Sequence, residues 1–220
     1  MEKKFSELFY GLKNPSAYAG SHVFVNQTRK KKFRDRDALT WLREQDAYNL
    51  HRRLRKNFPR RSYNVSNIND VWELDLMDLQ SLKHENDNHT FVLVVVDVFS
   101  KYGFAEAMKS KSADDVIKAF DTILKRSDGC VPVMVQCDRG REFVNQKFRD
   151  GLKEKNIIFR LVRDPDVKAA CVERFIRTLK TRLWRYFTQK RTTRYVDVLQ
   201  KFVDSYNSRF TRPSVYSLPV

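Results

Sequence analysis

The sequence predicts an α/β fold: a mixed five-stranded sheet with elements in the order βββαβαβαα, preceded by a small helical module. Three observations carry this. From Val71 onward, short runs rich in Val, Leu and aromatics alternate with stretches of helical spacing. The first three runs follow one another across short polar turns, which antiparallel pairing requires. The first 62 residues instead show a helix-start signal, helical apolar spacing and cationic clusters.

Taken in order, Asn14-Pro15-Ser16 reads as a helix start, and Arg36–Leu42 places apolar residues at 38, 39, 41 and 42. Between them Arg29-Lys30-Lys31-Lys32 makes a basic turn. Such a helix-turn-helix with cationic ends suits DNA reading, a packing module or a nuclear import signal equally well. The run His51-Arg52-Arg53-Leu54-Arg55-Lys56 and then Pro59-Arg60-Arg61 holds no acid and breaks at proline. It reads as an extended strap for a phosphate backbone, or as a solvated linker.

Strands are expected over Val71–Leu79, Phe91–Ser100 and Tyr102–Met108, with a polar turn at His84–His89. Ser112 caps a helix whose buried stripe is Val116, Phe120, Ile123 and Leu124. A fourth strand, Val131–Gln136, ends just before Asp138. A helix over Arg141–Lys155, a strand over Ile157–Val162 and helices over Val167–Gln189 and Arg194–Ser208 complete the set. This order is that of ribonuclease-H-like domains. Two domains are expected: a basic helical module with its linker over 1–62, and a catalytic core over 66–220.

The 220 residues carry a formal charge of +16, and 41% are hydrophobic, enough for a real core. Residues 1–66 alone hold 16 Lys/Arg against 6 Asp/Glu. That excess favours a polyanionic partner, since cations that neutralise phosphates release counterions. The three cysteines, Cys130, Cys137 and Cys171, have no Cys-x-x-Cys pairing, so a reducing cytosolic or nuclear setting is expected. No signal peptide follows the charged N-terminus, and the most apolar run, Phe91–Phe99, is too short to span a bilayer. An intracellular protein without a membrane partner is the expectation.

Three acids emerge from hydrophobic runs: Asp75 in Trp72-Glu73-Leu74-Asp75, Asp138 in Cys137-Asp138-Arg139-Gly140, and Glu173 in Val172-Glu173-Arg174-Phe175. Alternation puts Glu73, Asp75, Met77 and Leu79 on one face of a strand and Asp78 on the other. Asp138 lies past a strand end, where α/β folds gather ligands and catalytic groups. On the long helix Val172, Phe175, Ile176, Leu179, Leu183 and Phe187 form the apolar stripe, with Glu173, Arg177, Lys180 and Trp184 on its flank. Alone, that flank is equally an ordinary intrahelical Glu–Arg pair worth a few tenths of a kcal/mol, on the order of 0.3.

Val71–Leu76, Val95–Tyr102, Asp138–Phe143 and Val172–Lys180 together resemble the core of retroviral-type integrases, over most of residues 66–210. Phe9-Tyr10, Lys13–Ser16, Trp41-Leu42, Gln45–Tyr48, Phe58–Arg61 and Lys168–Phe175 are similar to the integrases of Polinton (Maverick) DNA transposons, extending the match to nearly the whole chain. The resemblance implies a DDE-type polynucleotidyl transferase. It would trim the 3′ ends of transposon DNA and join them to target DNA, with Asp75, Asp138 and Glu173 as catalytic residues binding two Mg²⁺ or Mn²⁺ ions.

By the same match Arg177 and Lys180 would hold donor phosphates. Arg174, Lys168, Arg52, Arg53, Arg55, Lys56, Arg60 and Arg61 are further expected DNA contacts. Double-stranded DNA at element ends and target, a homo-oligomer, and the nucleus after synthesis in the cytoplasm complete the implication. Asp97 lies in a matching motif but is given a structural role, and Asp78, Glu73 and Glu142 have no matching ligand position.

The sequence departs from the family pattern at Ile176, at Cys137 before the second aspartate, at Thr211, and in a loop, 163–170, without glycine. It has no His-His-Cys-Cys set in the N-terminal region, so zinc is not expected. These departures, with the short C-terminus, keep open a second reading: a domesticated remnant that binds DNA without catalysis.

Overall fold

The computed structural model describes residues 1–51, 65–138, 143, 145–162 and 169–208. They fall into two compact units. One gathers the described residues of Met1–Asn57 and Arg177–Thr211, the other those of Phe58–Ile176. The boundary at 176/177 falls within the longest helix, Ala170–Lys190.

The second unit is built on five strands: β1 (Val71–Asp78), β2 (Phe91–Asp97), β3 (Gly103–Met108), β4 (Met134–Cys137) and β5 (Ile158–Leu161). Their spatial order is β3-β2-β1-β4-β5. β1–β2 and β2–β3 pair antiparallel as a meander, and β4 joins β1 and β5 in parallel. This is the ribonuclease-H-like order that the sequence predicts.

Helix formation in this unit follows local chemistry. The helix Ala113–Arg126 starts at Ser112, whose Oγ accepts the Asp115 N–H at 3.2 Å, and it carries acids in the first turn and cations in the last. The helix Gln146–Glu154 begins at Asn145, which caps the Lys147 N–H. Trp72, Leu74, Leu93, Val95, Val135 and Cys137 point from the sheet into one core, where Val116, Phe120, Ile123, Phe148 and Leu152 meet them. Side chains at even positions of β1 supply that layer. Odd positions, Glu73 and Asp75 among them, face the other way.

The N-terminal helices are α1 (Glu2–Tyr10), α2 (Ser21–Lys30), α3 (Asp35–Arg43) and the single turn α4 (Asp46–Asn49). With the two helices already given as α5 and α6, α7 spans Ala170–Lys190 and α8 Leu199–Asn207. Phe5, Phe9, Phe24 and Trp41 form the aromatic heart of the first unit, with Phe24 and Trp41 stacked at 5.6 Å. Two buried arginines of α7 stitch this unit together through backbone and side-chain oxygens. Arg185 donates to the carbonyls of Tyr18 and Ala19 and lies 4.5 Å over the Tyr48 ring. Arg182 donates to Phe202 O, Ser205 Oγ and Pro15 O.

One expectation needs correction: Asn14-Pro15-Ser16 does not open a helix. The Asn14 amide donates to Glu7 O at 2.9 Å and the Ser16 hydroxyl to Leu8 O at 2.8 Å, so these side chains satisfy the last carbonyls of α1. The basic turn does join two helices, α2 and α3. Lys30, Lys31, Lys32, Arg34 and Arg36 are exposed there, Lys32 has φ 61°, and Arg29 is paired with Asp35. No described helix is long and apolar enough to cross a membrane.

Candidate active site

Asp75 sits half-buried on β1, opposite Val94 of β2, and its Oδ1 accepts the Leu76 N–H at 2.7 Å. Two residues earlier on the same face, Glu73 is fully buried. Its neighbour in parallel register is Gln136 of β4, whose amide donates to Glu73 Oε1 at 3.0 Å. The other oxygen, Oε2, accepts the backbone N–H groups of Cys171 at 2.7 Å and Val172 at 2.9 Å. Glu73 therefore caps α7. A helix start leaves orphan N–H groups and partial positive charge, and a buried carboxylate answers both.

Asp138 is the first residue beyond β4, and its Oδ1 accepts the Ala169 N–H at 3.2 Å. The Glu173 N–H then closes on Ala169 O at 3.1 Å. Carboxylates from two adjacent strands thus hold the entry to the helix that carries Glu173. The side chain of Glu173 is half-exposed, and among the described residues of its unit it has no hydrogen bond or ion pair.

Two further contacts fix the first turns of α7. The Lys101 ammonium donates to Cys171 Sγ at 3.3 Å and to Val98 O. Burial pushes the Cys171 thiol above its ordinary pKa, and the Glu73 charge adds to this against the opposing effect of Lys101. The thiol is therefore neutral at pH 7. Gly103 of β3 admits the Phe175 ring, since a Cβ there would stand 2.4 Å from its atoms.

Asp138 and Glu173 thus meet the same helix end, and Asp75 lies on the strand that caps it. Among the described residues, however, no group of three or more His, Cys, Asp or Glu side chains could hold a metal ion as placed. Asp138 is engaged with backbone, and the three acids are not a preformed cage. On α7, Arg174 and Arg177 are exposed and Lys180 is half-buried. Arg52, Arg53, Arg55, Lys56, Arg60, Arg61 and Lys168 lie outside the described residues, as do Arg163–Pro165 and Glu142.

Asp97 does have the structural role expected of it. It is buried, accepts Asn69 N–H, Ser100 N–H and the Ser100 hydroxyl, and so ties the β2–β3 turn to the start of β1. Sequence reasoning missed Glu73. The available signal was its position: an acid alternating with Met77 and Leu79 on one face of a strand needs donors once that face is covered, and a long helix supplies them.

Residues 66–164 match the family model described as Integrase core domain. A transposon-derived protein of Caenorhabditis elegans is 40% identical over 130 residues, a stretch covering 59% of this chain and 45% of that protein. The chain thus spans less than half the length of that relative. Among solved structures, the simian T-cell lymphotropic virus intasome in complex with the PP2A regulatory subunit B56 gamma aligns with TM-score 0.57 at 20% identity. That alignment covers 78% of this chain and 60% of the viral one. The HTLV-2 integrase catalytic core domain in complex with magnesium, in its dimeric form, aligns with TM-score 0.51 at 20% identity, covering 62% and 84%. Sequence and fold point the same way: residues 66–164 are similar to the Integrase core domain, and the five-stranded sheet shares the fold of these viral structures.

Proposed function

We propose that this chain cuts and joins DNA as a metal-dependent DDE-type integrase of a DNA transposon, with kinship to the Polinton (Maverick) elements. The observation that carries the reading is that Asp138 bonds the backbone just ahead of α7, the helix that carries Glu173, and that Asp75 lies on the strand capping it. It is made in a chain whose residues 66–164 match the Integrase core domain. Asp75, Asp138 and Glu173 are the residues that would hold two Mg²⁺ or Mn²⁺ ions. Magnesium is present in the HTLV-2 core domain structure of the same fold. The chemistry such ions supply when bound is activation of an attacking oxygen and stabilisation of a leaving one.

The rest is assigned to the chain's own groups. Arg174, Arg177 and Lys180 on α7, with Lys168 and the cations of 52–61, would hold DNA phosphates and set the strand against the acids. A homo-oligomer working on double-stranded DNA in the nucleus completes the proposal. The three carboxylates are not gathered as placed, so the proposal requires them to close together when metal and DNA bind.

That same observation favours a second reading, DNA binding without catalysis. Titration calorimetry with Mn²⁺ in the presence of duplex DNA separates the two. The catalytic reading predicts two sites per chain, at least one of them abolished in Asp75→Asn. Salt-sensitive DNA binding with no Mn²⁺ site in the wild type would establish the second reading.

A further inference from the structure

We propose that Glu73 is a positioning residue for Glu173, fixing where that acid stands by capping the helix that carries it. The inference deepens the catalytic reading and rests on it for the role of Glu173. The cap itself rests on geometry alone. Glu73 is 0% exposed, and such burial of a carboxylate is tolerated only where donors satisfy it. Among the described residues, donors on two separate elements do: the Gln136 amide on β4 and the N–H groups of Cys171 and Val172 on α7.

Val172 and Glu173 are successive residues, so the oxygen that accepts the Val172 N–H sets the backbone from which the Glu173 side chain departs. Because Glu73 and Asp75 share a face of β1 two residues apart, the same strand that presents Asp75 also anchors the helix presenting Glu173. Asp138 adds the Ala169 N–H from β4. The spacing of the three acids is thereby referred to one strand pair, β1–β4, through the buried pair Glu73 and Gln136.

A length change and a charge change at this position have opposite consequences. Glu73→Asp keeps the charge but withdraws the oxygens by one methylene from Cys171 and Val172. Glu73→Gln removes the charge but keeps an oxygen within reach of both N–H groups, with Gln136 reversing its amide. Amide hydrogen exchange by NMR on the full chain reads the cap. Mn²⁺ affinity by calorimetry, with duplex DNA present, reads its consequence.

The proposal expects about tenfold or faster exchange at Cys171 and Val172 in Glu73→Asp, and a similar loss of Mn²⁺ affinity. Glu73→Gln is expected to stay within about threefold of wild type on both measures. The reverse order would overturn the proposal in favour of a charge or ligand role. So would unchanged exchange in both variants. If Glu73→Asp does not fold, loss of protection in Glu73→Gln overturns the proposal and retention supports it. The expected exchange pattern with no Mn²⁺ binding in any form would support the cap and remove the catalytic reading.

Discussion

Glu73 and Gly103 act on the same helix turn from opposite needs: one supplies oxygen atoms, the other supplies space. Phe175 is 1% exposed, and a methyl group on Gly103 would stand 2.4 Å from its ring, so one of the two must shift. Gly103→Ala is expected to destabilise the protein by about 1–3 kcal/mol, the range for overpacking a filled core. Thermal melting of the variant beside wild type checks this. An unchanged or raised midpoint would show that α7 does not need the close approach to β3. Cys171 belongs to the same turn, where burial raises its thiol pKa.

At the scale of elements, the first unit depends on helices held by buried polar groups. The Tyr10 hydroxyl donates to Gln45 and that of Tyr18 to Gln189, and both phenols are raised above their ordinary pKa by burial. Burial also pushes Tyr195 up to about 12. In the unfolded chain these phenols ionise near 10.0, so above that pH the unfolded state releases protons that the folded state retains. The stability they contribute is complete below pH 10 and is lost as pH rises toward 12. Urea midpoints are expected to fall over that interval, and to fall less steeply in Tyr195→Phe. A midpoint flat across it in wild type would contradict the burial argument.

Much of this scale was legible in sequence, for local reasons. The Ser112 cap, the β1–β2–β3 meander and the place of Asp138 beyond β4 all follow from period and turn chemistry within about ten residues. Asn14 and Ser16 were misleading because the same side chains bond equally to N–H groups ahead of them or carbonyls behind them. Glu73 was opaque for another reason. Its donors lie 63, 98 and 99 positions away, and no local pattern announces them. The grouping of 177–208 with the N-terminal helices includes Arg182 and Arg185, whose acceptors at Pro15 and Tyr18 each lie 167 positions away.

Across the molecule, the formal charge of +16 is the largest electrostatic fact, and it suits a phosphate backbone. Charge accounts for affinity and its salt dependence but not for chemistry. The proposed chemistry rests on Asp75 on β1, Asp138 just beyond β4 and Glu173 near the start of α7. The most direct test is to incubate the full chain with end-labelled duplex oligonucleotides and Mg²⁺ or Mn²⁺, and to resolve cut and joined strands. The wild type is expected to yield both products, and Glu173→Gln to lower the rate about a hundredfold or more, about 2.7 kcal/mol of barrier. Equal product from wild type and Glu173→Gln would contradict the catalytic assignment.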